Sequence, residues 1–172
     1  NWVHRGTMHG AQDGQASTTV ITSRGCPFRC AYCSKYELAR TVRFRTPRQV
    51  YVELRHLKNV YGIEHVRFVD DVFSLSRKRV AEICHLIRPL EMTWLAITRA
   101  DLVTKEMLST MKDSGCVELC FGIESGSKEQ LLRMNKKDNP DHMAEAVRMT
   151  RDAGIRTKAF LLYGFPGECR QT

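Results

Sequence analysis

Short β-branched runs alternate with capped amphipathic helices from residue 18 onward, and this alternation limits the folds open to the chain more than any other feature. Residues 18–22, 65–69, 93–98, 117–123 and 156–163 are expected as five strands. Between the first two, Thr46 caps a helix with Pro47 at its first position, Val50, Leu54, Leu57 and Tyr61 on one face, and Gly62 at its end. Ser76 caps a second helix, in which Val80, Ile83, Cys84 and Ile87 keep helical spacing ahead of Pro89. Thr104 opens a third, with Met107, Leu108 and Met111 inward and Gly115 at its end. Ser127 and Gln130 form a capping box for a short fourth helix, and Asn139 with Pro140 starts a fifth that ends at Gly154.

Every crossover is long enough to hold a helix, which argues for a parallel α/β sheet with right-handed connections. In the fourth strand Val117, Leu119, Phe121 and Ile123 share one face, while Glu118, Cys120, Gly122 and Glu124 share the other. A doubly wound open sheet buries both faces in apolar contacts. A barrel that holds a substrate needs a polar interior, so the alternation favours a barrel.

A length of 172 residues suits one domain with a real core. Residues 1–17 are polar and aperiodic and read as a linker or lead-in segment, leaving 18–172 as the core domain. The chain begins at Asn1 and stops just after a turn at residues 164–168, so both ends are expected to continue, the core being incomplete at its C-terminus. No apolar run is long enough to span a bilayer and the N-terminus lacks a secretory signal, so no membrane span and a cytoplasmic location are expected. A net charge of +8 admits a nucleic-acid partner. The basic residues are nevertheless scattered among acids, with local density only at Arg40, Arg43, Arg45 and Arg48, so nucleic acid is the less favoured partner.

Seven cysteines are present, and three of them stand together as Cys26-Pro27-Phe28-Arg29-Cys30-Ala31-Tyr32-Cys33, directly after the first strand. This crowding suits a metal site in a reducing compartment better than a disulfide framework. The ends of parallel strands line the active face of such folds. Structural zinc takes four protein ligands, and no second Cys or His pair stands at a compatible spacing. An electron-transferring cluster of four irons normally has four thiolates; three leave one iron open. A non-catalytic iron-sulfur or zinc protein is the competing reading. Of the other cysteines, Cys84 is expected in the core, Cys116 and Cys120 flank or enter the fourth strand, Cys120 faces its polar side as a candidate reactive thiol with burial the favoured reading, and Cys169 lies in the tail. His65 and His85 read as strand and helix surface.

C-x3-C-x-aromatic-C after a first strand resembles the signature of the radical S-adenosylmethionine (radical SAM) superfamily. Further blocks extend the likeness: Arg43-Phe44-Arg45-Thr46-Pro47, Phe68-Val69-Asp70-Asp71-Val72-Phe73, Thr98-Arg99-Ala100-Asp101, Phe121-Gly122-Ile123-Glu124-Ser125-Gly126-Ser127 and Tyr163-Gly164-Phe165-Pro166-Gly167-Glu168. They resemble the subgroup often fused to an N-terminal cobalamin-binding domain. The resemblance implies an α/β partial (β/α)6 TIM-like barrel, truncated here to about five strands. It implies a 4Fe-4S cluster on Cys26, Cys30 and Cys33, whose open iron chelates the methionine amino and carboxylate groups of S-adenosylmethionine, with cobalamin as a candidate further cofactor from the absent domain.

The same resemblance puts Tyr32 near the adenine, one of Asp70 and Asp71 on the methionine ammonium, Glu124 and Ser125 at the ribose or methionine, and Tyr163 and Gly164 along the adenosine. Arg99 is a candidate for the methionine carboxylate, with Asp101 and Glu124 as competing partners. The implied enzyme cleaves S-adenosylmethionine reductively, giving a deoxyadenosyl radical or supporting methyl transfer on a small molecule, with an electron donor such as flavodoxin or ferredoxin. A tRNA methylthiotransferase-like enzyme is the alternative within the superfamily.

Overall fold

The computed structural model describes residues 4–5, 14–34 and 40–169. In chain order the elements are β1 (His4–Arg5), β2 (Ala16–Val20), β3 (Ser23–Arg24), β4 (Arg43–Phe44), α1 (Pro47–Tyr61), β5 (His65–Phe68), α2 (Arg77–Ile87), β6 (Thr93–Thr98), α3 (Lys105–Asp113), β7 (Cys116–Glu124), α4 (Lys128–Arg133), α5 (Pro140–Asp152) and β8 (Arg156–Leu161). One sheet runs in the order β1-β2-β5-β6-β7-β8, and β3 pairs with β4 in a separate ribbon. The pairs from β2 through β8 are all parallel. Parallel strands that follow one another across a sheet without reversing direction, joined by right-handed crossovers, put every helix on one face. The opposite face is then free to curl into a lumen, the partial barrel expected.

The helical face is apolar throughout. Val66, Phe68, Trp94, Ala96, Leu119 and Phe121 from the strands meet Val50, Leu54 and Leu57 of α1, Val80 and Ile83 of α2, and Leu108 and Met111 of α3. Phe68 stacks on Phe73 at 4.9 Å, Trp94 packs edge-on to Phe68, and its Nε1 donates to the Ser114 carbonyl at 3.0 Å. Leu108 is fully buried. Leu108→Ala is therefore expected to cost about 2–5 kcal/mol, read as a lowered denaturation midpoint. On the other face the strand register sets Arg67, Leu95, Glu118 and Arg156 in one row, and Glu118 pairs with Arg156 at 3.8 Å. That face has the polar character the alternation in β7 predicts.

Several expectations need correction. The sheet begins before residue 18: β2 starts at Ala16, because Ser17 pairs with His65, and β1 joins antiparallel from within the stretch read as a linker. Tyr61 shares the face of the buried Val50, Leu54 and Leu57 but is 49% exposed as the last residue of α1, next to the left-handed Gly62 cap. His65 is fully buried, its Nδ1 bonded to Thr93 Oγ1 at 2.9 Å across β5 and β6. Ser127 caps α4 as expected, but Gln130 does not return the bond; its buried amide donates to the Gly167 carbonyl at 2.6 Å. The fifth strand ends at Leu161.

Burial pushes the Cys84 thiol up to about 11, and burial with the neighbouring Glu118 carboxylate does the same at Cys120. Complete burial also pushes the Cys116 thiol well above its ordinary value. Nucleophilic attack needs the thiolate. Iodoacetamide at pH 8 is therefore expected to spare these three thiols in the folded cluster-free protein and to modify exposed Cys33 and Cys169, as read by peptide mass spectrometry.

Candidate cofactor site

The cysteine loop follows β3 in the connection to β4, and charged groups pin its stem. Asp70, only 1% exposed at the end of β5, accepts from Thr22 N at 2.6 Å, Thr22 Oγ1 at 2.5 Å and Ser23 Oγ at 2.6 Å. Arg79 of α2 donates to the Thr22 carbonyl at 2.7 Å and the Arg45 carbonyl at 3.1 Å, holding both legs of the stem. Asp71 accepts from Gly25 N at 3.0 Å, immediately before Cys26. The far side of the loop is fixed by the turn after α4, where Ala31 N donates to the Met134 carbonyl at 2.8 Å and Asn135 Nδ2 to the Arg29 carbonyl at 2.7 Å.

Loop and strand ends together enclose a cavity of about 190 Å³. Cys26, Cys30, Cys33, Tyr32, Asp71, Arg99 and Glu124, all singled out in the sequence, line it. Burial pushes the Cys26 thiol up, and the Asp71 carboxylate and the other two thiols add to this. No group of three or more His, Cys, Asp or Glu side chains converges as ligands of a single metal ion among the described residues. In a four-iron cluster each thiolate serves its own iron, so the sulfurs need not converge on one point. Three soft donors on one loop, facing a walled space, fit such a cluster.

Arg99 is committed largely to the protein. It grips Asp101 with two bonds of 2.8 Å, donates to the Lys136 carbonyl at 3.0 Å, lies 3.8 Å over the Phe28 ring and reaches Cys30 Sγ at 3.9 Å. Burial works against its charge, and Asp101, Cys30 and Asp138 outweigh that and raise its pKa.

Glu124 reaches the cavity by local strain. The pairing of β7 with β8 shifts register between Gly122 and Glu124, and Glu124 takes the left-handed conformation, φ 65°, rare outside glycine and costly unless surroundings enforce it. Its carboxylate then meets Lys136 Nζ at 3.4 Å, a cation whose side chain is 3% exposed. Gly122 makes room for the pair: a Cβ there would stand 2.6 Å from Glu124 Oε1 and 3.1 Å from Lys136 Nζ. Burial and the Glu124 charge push the Tyr32 hydroxyl far above its ordinary value, so it is a hydrogen-bond donor at every working pH.

Four expected residues fall outside the cavity wall. Asp70 is spent on the stem, so of the adjacent pair it is Asp71 that faces the cavity. Ser125 Oγ accepts from Ser127 N at 3.0 Å and shapes the turn into α4. Tyr163 is 79% exposed beyond β8, and Gly164, at φ 80°, forms a turn with Glu168. Phe28, Phe160 and Lys136 are among the cavity residues that were not singled out. Phe28 lay in plain view between the first two cysteines; Phe160 shares the lumen face with Lys158 by strand alternation; Lys136 carried no local signal, because a lysine in a polar turn reads as solvated.

The family model described as the Radical SAM superfamily matches residues 20–172. An uncharacterized methyltransferase of Pyrococcus horikoshii is 34% identical over 92% of this chain and 35% of its own length. An anaerobic magnesium-protoporphyrin IX monomethyl ester cyclase of Cereibacter sphaeroides is 31% identical over 87% of this chain and 26% of its own length. Among solved structures, the cobalamin-dependent S-adenosylmethionine radical enzyme OxsB, with aqua-cobalamin and S-adenosylmethionine bound, superposes with a TM-score of 0.74 at 26% identity, over 83% of this chain and 23% of that one. The chain spans well under half the length of each.

Proposed function

This chain belongs to the radical SAM superfamily, and on that premise we propose that it holds a 4Fe-4S cluster on Cys26, Cys30 and Cys33 and cleaves S-adenosylmethionine reductively. The observation that carries the reading is the meeting of all three cysteines with Asp71, Arg99 and the Glu124–Lys136 pair around one cavity at the strand ends. When bound, cluster and S-adenosylmethionine supply the one-electron chemistry; the protein positions them and excludes water.

The residue roles follow from where each group stands. Asp71 lines the cavity and, besides accepting from Gly25 N, is proposed to take the methionine ammonium on its carboxylate. Lys136 is the better cation for the methionine carboxylate, because Arg99 is already held by Asp101 and instead sets positive charge beside the Cys30 sulfur. Glu124 shares Lys136 and is proposed to accept from ribose hydroxyls, with Ser125 next to it. Tyr32 and Phe160 offer flat walls for the adenine, and Tyr163 with Gly164 would meet whatever part of the adenosine projects beyond the wall.

Methyl transfer to a small molecule, with cobalamin supplied by a domain outside this chain, is the proposed reaction class; the methyltransferase name of the Pyrococcus relative and the cobalamin in OxsB support it. A reducing protein of flavodoxin or ferredoxin type is the proposed electron source. No helix among the described residues is long and apolar enough to cross a membrane, and the thiolate site suits the cytoplasm as the proposed compartment. The test is anaerobic reconstitution of the full-length protein followed by turnover with S-adenosylmethionine and a strong reductant. Deoxyadenosine or a methylated product is expected. An iron-loaded protein that leaves S-adenosylmethionine intact overturns the proposal.

A further inference from the structure

A second cavity, of about 530 Å³, lies on the β2 side of the cysteine-loop stem and shares no lining residue with the cysteine cavity. Two of its walls are Arg24 on β3 and Arg43 on β4, which stand directly opposite each other in the antiparallel ribbon. Like charges in that position repel, with Cβ atoms about 5 Å apart. Neither guanidinium has a hydrogen-bond or ion-pair partner among the described residues, and both are exposed. The one carboxylate on the wall, Glu53, is held by Arg45 at 2.5 Å, so it does not relieve them. The ribbon cannot easily splay to separate the two, because Asp70 and Arg79 fix both legs of the stem and Arg79 also lies 5.0 Å from the Phe44 ring.

A rigid ribbon that sets two unpaired arginines side by side at the edge of a cavity can offer both guanidiniums to one anion. We propose that Arg24 and Arg43 clamp the phosphate of a small phosphorylated ligand. Arginine forks match phosphate oxygens two at a time. Thr19, exposed on β2, adds a hydroxyl, and Ile21 with Val69 gives the organic part an apolar wall. The site needs neither the cluster nor S-adenosylmethionine, so it stands or falls apart from the proposed reaction.

The test titrates the full-length protein with inorganic phosphate, ribose 5-phosphate, ribose and a single-stranded RNA, following Tm and heats of binding. Saturable binding of ribose 5-phosphate and phosphate but not ribose is expected, with a Tm rise of about 2–4 °C at saturation. Arg24→Gln/Arg43→Gln should weaken ribose 5-phosphate binding at least about tenfold. In phosphate-free buffer the double variant should melt no lower than the wild type, since its substitutions remove a repulsion. Arg43→Gln alone, on the return strand, gives the same readout without altering a residue near Cys26. Absence of saturable phosphate binding, equal binding by wild type and variants, or RNA binding far tighter than ribose 5-phosphate overturns the assignment.

Discussion

Cys30→Ala abolishes cluster assembly: the reconstituted variant is expected to hold only background iron, against about four irons per chain in the wild type, while Cys84→Ala keeps its iron. The contrast rests on placement. Cys30 lines the cavity and has Arg99 Nη1 3.9 Å from its sulfur, whereas Cys84 is sealed in the apolar layer between α2 and the sheet. Two thiolates leave a second iron uncovered, and no other cysteine reaches the cavity to replace the lost one. Equal iron loss in both variants, measured by colorimetric iron and sulfide content, would sink the ligand assignment.

Asp70→Ala is expected to be the most damaging change that touches no proposed ligand. Its carboxylate is buried and takes three hydrogen bonds from Thr22 and Ser23, and it is the negative charge facing buried Arg79. Removing one partner of such an arrangement leaves the other uncompensated and costs about 3–5 kcal/mol. For a chain of this size that corresponds to a Tm drop on the order of 10 °C. The stem carries the cysteine loop, so iron retention should fall in parallel. A variant that melts like the wild type would mean the stem is held by something other than Asp70. Asp71→Ala, which removes a carboxylate from the cavity wall, should weaken S-adenosylmethionine binding, read by isothermal titration of the reconstituted protein.

These contrasts also mark how far the sequence is legible. The strand at 93–98 and the helix starts at Thr46, Ser76, Thr104 and Asn139 coincide with the structure because caps and β-branched runs are local signals, set by neighbours a few residues away. The cysteine loop was legible for the same reason, its spacing and its post-strand place both being local. His65 was misassigned, and the exposure of Tyr61 was not foreseen, because strand alternation and helical period say which way a side chain points and not whether anything covers it. Gln130 was read as a reciprocal cap, yet a distant carbonyl at Gly167 claims its amide. Lys136 could not be found at all, since its burial depends on Glu124, twelve residues away and turned inward by a bulge. The division of labour between Asp70 and Asp71 likewise needed the stem in place, because both carboxylates look alike until Thr22 and Ser23 close on one of them.

The central claim, a cysteine-bound cluster with an iron open to S-adenosylmethionine, is tested most directly by electron paramagnetic resonance of the reduced, reconstituted protein with S-adenosylmethionine carrying 15N in its methionine amino group. A shifted cluster signal with hyperfine coupling to that nitrogen is the predicted result. A cluster signal unchanged by S-adenosylmethionine, with no 15N coupling, would contradict it.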